Sequence, residues 1–174
     1  ADRADVHVQL RPSTDAFFFA AMLGVLVRED LVDHAFLAQR TKGYEDVRAV
    51  LEAVDIDAFA AKCGVPVAQI EDVARRLASA ESACVRADLG LQQSLHSTLN
   101  SYLEKLTYLL TGNLGKVGGN NFHTFLLPLV GHTSDDRPQP TVVTKMPAIG
   151  KLYPPNILPA EIDSDADGRV RAVV

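Results

Sequence analysis

Residues 16–27 form a run of twelve apolar residues that includes Gly24. A helix built from this run has no polar face, so other parts of the molecule must cover it on most sides. The run is too short to span a membrane, which takes about 20 residues. Asp2 and Asp5 precede it and no small-residue cleavage pattern follows it, so it is not a secretory signal peptide. The sequence therefore predicts a globular fold in which this helix is buried.

The composition is that of a globular domain, and it excludes some classes of partner. The chain has 174 residues, of which 47% are hydrophobic, and this supports one domain with a core. Its net charge of −5 disfavours non-specific binding to nucleic acid, which requires clustered positive charge. Cys63 and Cys84 form no Cys-x-x-Cys motif, so we expect neither a disulfide framework nor a zinc site and interpret both as reduced, buried side chains. No residue identifies the compartment, and the cytoplasm is favoured.

Helical periodicity and capping residues predict six helices in the first two thirds of the chain. The predicted helices are 16–28, 33–39, 44–53, 55–63, 67–80 and 95–111. Ser13–Asp15 offers an N-cap for the first helix. Asp55–Asp57 caps the fourth helix, and Gly64 provides its C-terminal stop. Alternating apolar residues predict a strand at 6–10, residues 82–87 are a short strand candidate, and a further strand begins within 169–174.

The segment from residue 120 to 168 shows no periodic stretch of useful length. Yet it contains large apolar side chains, among them Phe122 and Phe125. Long structureless loops are uncommon in compact domains, so we expect this segment to lie on a further surface. The chain also starts without methionine, in the middle of a strand-like pattern. We infer that it is a segment of a longer polypeptide.

The stretch 59–76 has the small–glycine–aliphatic spacing of a helix-turn-helix. In a DNA-binding interpretation, Gln69 and the basic pair Arg75–Arg76 would face DNA. The acidic pair Glu71–Asp72 lies on the same helix and would repel phosphate. The alternative is two short helices joined by a tight glycine turn. A free-standing helical binding module built on this unit is the second hypothesis for the function.

Four glycines follow the last predicted helix, at Gly112, Gly115, Gly118 and Gly119. The series is neither a Walker phosphate-binding loop nor a Gly-x-Gly-x-x-Gly motif. By itself it indicates a helix stop followed by a flexible turn. The alternative is that backbone N–H groups approach a ligand closely where no side chain intervenes. The sequence shows no nucleophile–base arrangement and no metal-ligand spacing, so we predict no catalytic residue and no metal ligand in this chain.

Five stretches of the chain, taken in order, resemble one family. The first ends in Arg-Pro-Ser-Thr-Asp and the last reads Leu-Thr-Gly-Asn-Leu-Gly-Lys-Val-Gly-Gly. They resemble segments of the molybdopterin oxidoreductases, which include formate dehydrogenases, nitrate reductases and dimethyl sulfoxide reductase-type enzymes. The resemblance covers residues 1–121. The five stretches are Ala4–Asp15, Leu31–Glu45, Gly64–Arg75, Leu89–Gln93 and Leu110–Gly119.

The resemblance implies an α/β fold in which dinucleotide-binding-like (Rossmann-like) domains hold two pyranopterin guanine dinucleotides around molybdenum or tungsten. Residues 1–119 would then be the mostly helical, C-terminal half of one cofactor-binding domain. Residues 120–168 would be a long irregular crossover segment. Residues 169–174 would be the first strand of the next α/β domain.

The resemblance also implies the residues of a cofactor site. Asp15 matches the family aspartate that helps to bind a guanine base, and its alternative role is to cap the first helix. Ser13 stands where the family usually has glycine. Gln93 matches a glutamine near a pterin. The implied cofactor-binding residues are Pro12, Asp15, Leu89, Gly90, Gln93, Gly112, Asn113, Gly118 and Gly119.

By the same resemblance, the chain is part of a molybdenum or tungsten oxidoreductase, and the parent enzyme is formate dehydrogenase-like. The family's iron–sulfur cysteine motif and metal-ligating residue do not occur in this sequence, so a 4Fe-4S cluster is expected only in an upstream part of the parent. The implied partners are the rest of the parent chain and electron-transfer subunits. Nucleic acid is not an expected partner, and no membrane span is expected in this segment.

Overall fold

A computed structural model describes residues 3–121, 139–148 and 153–171, and none of these residues lies in a β-strand. The chain divides into two compact units, Ala1–Phe122 and His123–Val174. The helices are α1 (Asp15–Arg28), α2 (His34–Arg40), α3 (Tyr44–Glu52), α4 (Ile56–Cys63), α5 (Val67–Ser79), α6 (Leu89–Gln92), α7 (Ser97–Leu110) and α8 (Leu158–Asp163), with a 3-10 turn at Pro155–Ile157 before α8.

The helix α1 is the centre of the first unit, as its apolar sequence predicts. The helices α3, α4, α5 and α7 all pack against it. The side chains of Leu23 and Leu26 are fully buried. Gly24 lets α1 approach the end of α3, because a Cβ atom there would lie 3.2 Å from the carbonyl oxygen of Leu51. The first turns of α1 are less covered, since the side chains of Phe17–Phe19 are only partly buried.

Local capping signals correctly predict both ends of α4. Asp55 accepts the Ala58 N–H at the start of α4, as expected. Asp33, which was predicted as the first residue of the second helix and not as its cap, accepts the Phe36 N–H at the start of α2. Gly64 ends α4 with a φ of 74°, a conformation that costs glycine little. The predicted α4–glycine–α5 unit is therefore present.

The predicted strands are wrong for the residues that the structure describes. Residues 6–10 and 82–87 contain no strand, because a strand needs a neighbouring strand to pair with and neither segment has one. Residues 169–171 also contain none, and 172–174 lie outside the described residues. Of the predicted α/β class, the described chain shows only the helical part.

Of the remaining predictions, some are incorrect and one concerns residues that the structure does not describe. The short helices α6 and α8 were not predicted, because four to six residues are too few to show a helical period. Cys63 is buried as expected, but Cys84 is exposed, since the segment 82–87 runs along the surface; both thiols are free. Much of the predicted irregular segment, including Phe122 and Phe125, lies outside the described residues. Among those that are described, no helix is long and apolar enough to cross a membrane.

In the second unit, a buried carboxylate organises a turn. Glu161 of α8 accepts hydrogen bonds from the N–H groups of Val143 and Thr144 and from the Thr144 hydroxyl, at 2.8–3.2 Å. These donors, led by the Thr144 N–H, lower the pKa of Glu161 to about 2. Glu161 therefore ties α8 to the turn at residues 141–146.

Candidate functional site

A tight turn at residues 11–14 leads into α1. The carbonyl oxygen of Arg11 accepts the Thr14 N–H at 3.3 Å and the Thr14 hydroxyl at 2.6 Å. Pro12 takes the second position of the turn, and Ser13 takes the third with a φ of 64°. This is the pattern of a type II turn, whose third position favours glycine. Ser13 therefore occupies the backbone conformation that a glycine would take.

Asp15 is the first residue of α1 and does not cap it. The N-cap position is Thr14, whose hydroxyl turns back onto Arg11, so α1 has no side-chain cap. The carboxylate of Asp15 is half-buried and makes no hydrogen bond or ion pair to the residues that the structure describes. The capping interpretation of Asp15 is therefore wrong, and its carboxylate lies unbonded in the first turn of a 14-residue helix. The helix dipole favours a negative charge at that place.

The turn is fixed to the C-terminal end of α4. Arg11 donates its backbone N–H to the Cys63 carbonyl at 3.0 Å and its Nη1 to the carbonyls of Ala61 and Lys62 at 3.0 and 3.4 Å. The Cys63 thiol lies 3.5 Å from the Thr14 carbonyl, and burial raises its pKa. A cavity of about 640 Å³ opens beside this contact. It is lined by His7, Gln9, Leu10, Arg11, Pro12, Cys63, Gly64 and Gln69.

The ring of Phe17 connects the start of α1 to the start of α7. It packs edge-on against Phe59 and His96, with ring centroids 5.2 and 6.0 Å apart, and the Lys62 ammonium lies 4.1 Å from its centroid. His96 is the N-cap residue of α7 and directly follows the connection from α6. The predicted residues on and after α6 therefore lie near the start of α1, at the same end of the first unit as Asp15.

The predicted pterin-binding residues lie on the surface around α6. Leu89 is 64% exposed, and no heavy atom lies within 4 Å of a Cβ atom built on Gly90. Gln93 ends α6 and is also exposed, and its side-chain amide has no partner among the described residues. These three residues therefore form an open surface that carries one free amide.

A buried asparagine supports this surface. Asn100 is 1% exposed, and its Nδ2 donates to the Leu91 carbonyl at 3.1 Å and to the Ser94 hydroxyl at 2.9 Å. Its Oδ1 is buried and has no hydrogen-bond partner among the residues that the structure describes. Asn100 thus fixes the connection that carries Gln93. Sequence reasoning missed it, although a polar residue one turn before Leu103 on the buried face of α7 was the available signal.

The glycine loop at residues 112–120 is closed on itself. The Asn120 N–H donates to the Asn113 carbonyl and the Gly115 N–H donates to the Asn120 carbonyl, each at 2.8 Å. Gly112 has a φ of 66°, and a Cβ atom there would clash with the Asp33 carboxylate. A Cβ atom on Gly119 would clash with the Asn113 carbonyl. The loop is a helix stop, as predicted. Its path is possible only because Gly112 and Gly119 have no side chain.

Two asparagines tie this loop to the segment 82–87. The Oδ1 of Asn113 accepts the Ala83 N–H at 3.0 Å, and its Nδ2 donates to Thr111. Asn120 accepts the Val85 N–H at 2.8 Å and donates to the Val85 carbonyl at 2.7 Å. Both polar atoms of the Asn113 side chain are thus bonded within the chain. Asn113 therefore affects a bound cofactor only by maintaining the shape of the loop. Asn120 was not singled out from the sequence.

The tip of the loop leaves backbone groups open. Within the part of the chain that the structure describes, the N–H groups of residues 116–118 make no hydrogen bond. Val117 is 97% exposed, and Gly118 has a φ of 80°. Successive free N–H groups in a turn form a concavity that accepts anionic or carbonyl oxygens. The alternative interpretation of the glycine series, in which backbone N–H groups approach a ligand, would use these three groups.

The predicted site residues fall into two groups at opposite ends of α1 and α7. The two helices run side by side in the same direction, because Phe17 contacts His96 at one end and the Asp33 N–H donates to the Leu110 carbonyl at the other. Fourteen helical residues span about 20 Å. Pro12, Asp15 and the α6 surface therefore lie about one helix length from the glycine loop.

The three side chains that would face DNA in the alternative hypothesis form hydrogen bonds within this chain instead. The Gln69 amide donates to the His7 carbonyl. Arg75 forms two bonds to Glu29, at 2.8 and 2.6 Å, and these lower the pKa of Glu29. Arg76 bonds to Asp72 at 2.7 Å. The α4–α5 unit is therefore a structural helix pair in which Arg75 and Arg76 are both paired with carboxylates.

No cluster of three or more His, Cys, Asp or Glu that could hold a metal ion occurs in residues 3–121, 139–148 or 153–171.

Comparisons with known proteins relate the chain to large enzymes. It is 34% identical over 118 residues to the F420-dependent formate dehydrogenase 1 subunit alpha of Methanococcus maripaludis, covering 68% of this chain and 18% of that protein. It is 35% identical over 115 residues to formate dehydrogenase H of Escherichia coli, covering 65% of this chain and 16% of that protein. The chain thus spans less than a fifth of the length of these relatives. No family model matches it.

The fold also has a counterpart among solved structures. Acetylene hydratase from Pelobacter acetylenicus matches with a TM-score of 0.63 and 23% sequence identity. The match covers 68% of this chain and 16% of that protein. This likeness shows that the helical arrangement recurs within a much larger enzyme.

Proposed function

Because this chain belongs to the molybdopterin oxidoreductase family, we propose that it forms part of a cofactor-binding wall in a longer molybdenum- or tungsten-dependent enzyme. The parent is formate dehydrogenase-like in this proposal, with a 4Fe-4S cluster in another part of its chain. The helices α1–α7 form the C-terminal half of a Rossmann-like domain, and the sheet is completed by the preceding part of the parent. When bound, the cofactor supplies the redox chemistry, and this chain supplies binding and orientation.

The observation that carries the proposal is the unbonded carboxylate of Asp15. A carboxylate only accepts hydrogen bonds, and the Watson–Crick edge of guanine presents adjacent N–H donors. A half-buried carboxylate can therefore bind guanine with two charge-assisted bonds. Pro12 contributes to the turn that places this carboxylate.

The other predicted residues take complementary roles. The free amide of Gln93 both donates and accepts, as a pterin edge requires, and Leu89 and Gly90 leave the surface beside it open. At the other end, the glycine loop offers the N–H groups of residues 116–118, and Gly119 allows its closed path. Because about 20 Å separates the two ends, the two groups contact different parts of an extended dinucleotide or two separate cofactors.

Substitution of Asp15 by asparagine in the full-length enzyme tests this role. The amide keeps the size but places a donor against the donors of guanine, which removes a charge-assisted bond worth about 1.5–3 kcal/mol. We expect Asp15→Asn to lower the guanine nucleotide and metal content per polypeptide. Because bound cofactor itself raises the unfolding midpoint, midpoints are compared between cofactor-free preparations, where the variant should stay near the parent.

The matched control is Asp55→Asn, which makes the same chemical change at the N-cap of α4. Asparagine caps a helix as well as aspartate does, so this variant should keep its cofactor. Equal nucleotide content in Asp15→Asn and the unmodified enzyme would remove the guanine assignment.

A further inference from the structure

We propose that Arg11 is the positioning residue for the Asp15 carboxylate, by fixing the turn before α1 to the end of α4. The inference rests on the proposed function, in which Asp15 binds guanine. Arg11 does not itself contact the base in this account. Its role is to determine where the carboxylate lies.

The contact satisfies groups that α4 leaves open. The last carbonyls of a helix have no N–H partner within the helix. Arg11 provides a donor to the Cys63 carbonyl through its backbone N–H and to the Ala61 and Lys62 carbonyls through its Nη1. The Ala61 carbonyl also accepts the Gly64 N–H at 3.3 Å. A cation at the C-terminal end of a helix is also favoured by the helix dipole. The position of Arg11 relative to α4 is therefore fixed by three bonds and by charge.

The end of α4 is shaped to accept the guanidinium. Gly64 follows α4 with a φ of 74°, and a Cβ atom built on it would lie 3.0 Å from the Arg11 Nε. Glycine therefore both ends the helix and leaves space for Arg11. No single stretch of sequence shows this match, because Arg11 and Gly64 are far apart along the chain.

The turn at residues 11–14 determines where Asp15 lies relative to Arg11. The Arg11 carbonyl accepts both the N–H and the hydroxyl of Thr14, the residue just before Asp15. The carbonyl of Thr14 in turn contacts the Cys63 thiol, so both ends of the turn are attached to α4. Both side-chain bonds come from a single nitrogen, Nη1, which the planar guanidinium holds in place. Lysine at position 11 would keep the positive charge and the backbone N–H, but its ammonium sits on a flexible stem and does not fix a donor against both carbonyls in one geometry.

Arg28 provides a matched control on another helix end. Its guanidinium donates to the Glu52 carbonyl at 3.1 and 2.8 Å and to the Val54 carbonyl, at the end of α3. It makes the same kind of contact as Arg11, but it is the last residue of α1, whereas Asp15 is the first. A purely structural loss should therefore be similar in Arg11→Lys and Arg28→Lys.

The experiment compares Arg11→Lys, Arg28→Lys, Asp15→Asn and the Arg11→Lys/Asp15→Asn double variant in the full-length enzyme. The readouts are the rate at which guanine nucleotide is lost during dialysis and the thermal unfolding midpoint. We expect similar decreases in midpoint for the two arginine variants. We expect faster nucleotide loss only in Arg11→Lys, by about tenfold, which corresponds to about 1.4 kcal/mol in the activation free energy of nucleotide release. The double variant should lose nucleotide no faster than Asp15→Asn alone.

Equal nucleotide loss in Arg11→Lys and Arg28→Lys would overturn the inference, and so would additive losses in the double variant. Either result leaves the guanine assignment standing if Asp15→Asn still loses nucleotide. Nucleotide retention by Asp15→Asn equal to that of the unmodified enzyme would instead reject the guanine assignment and, with it, the role of Arg11.

Discussion

At the start of α1, the Asp15 carboxylate has no hydrogen-bond partner among the described residues, whereas in the glycine loop both polar atoms of the Asn113 side chain are bonded. The first region is a rigid turn that leaves one side chain open. The second uses its side chains to build a shape and leaves backbone N–H groups open. The two regions therefore offer a ligand different kinds of contact.

This difference also predicts which variants lose ligand binding and which lose folding stability. A substitution that touches only an unbonded surface side chain changes binding and leaves folding nearly unaffected. A substitution in the closed loop breaks bonds between buried groups, so it lowers the free energy of unfolding. Variants in the two regions should therefore fall into two classes.

The largest effect is expected for Gly119→Ala. The added Cβ would strike the backbone carbonyl of Asn113, which cannot move without breaking the loop closure at Asn120. We expect a loss of about 3 kcal/mol in the free energy of unfolding. The control is Gly115→Ala, where no atom lies within 4 Å of the Cβ and only the cost of a φ of 75° applies, about 1–2 kcal/mol. Thermal or urea unfolding measures both, and equal losses would mean that the close approach at Gly119 does not matter.

The next largest loss of unfolding free energy is expected for Asn113→Ala, and Gln93→Ala is its control. Asn113→Ala leaves the partly buried Ala83 N–H without its partner, and we expect a loss of about 1–3 kcal/mol. Gln93→Ala removes an exposed amide without a partner, so its unfolding free energy should change by less than about 0.5 kcal/mol. The cofactor content of Gln93→Ala should fall nonetheless. A large stability loss in Gln93→Ala would break the contrast between the two regions.

The smallest effect is expected at Ser13. Its φ of 64° strains a residue with a side chain, and Ser13→Gly relieves that strain at some cost in backbone entropy. We expect a net gain of roughly 0.5 kcal/mol in stability and unchanged nucleotide retention. A Ser13→Val variant should move in the opposite direction. Destabilisation by Ser13→Gly would show that the serine side chain supports the turn in a way that its contacts do not reveal.

Sequence reasoning succeeded where the signal is local. The apolar run predicted the buried α1, and Asp55 and Gly64 predicted the two ends of α4, because caps act over three or four residues. It failed at residues 6–10 and 82–87, since a short segment with strand-like composition does not supply the strand that pairs with it.

The architecture of the site was beyond the sequence for a different reason. Motif resemblance brought out Asp15 and the glycine series but not the distance between them, because their separation by about a helix length follows from the packing of α7 on α1. The contacts between Arg11 and α4, and between Asn113 and Ala83, join residues that are 30 or more positions apart. No local pattern contains such pairs.

The most direct test of the central claim is a structure of the full-length enzyme with its cofactor bound. The account predicts guanine N–H groups within about 2.7–3.2 Å of the two carboxylate oxygens of Asp15, with the Arg11 guanidinium still on the carbonyls of α4. An Asp15 carboxylate that is bonded to another part of the protein, with the guanine base held elsewhere, would contradict it.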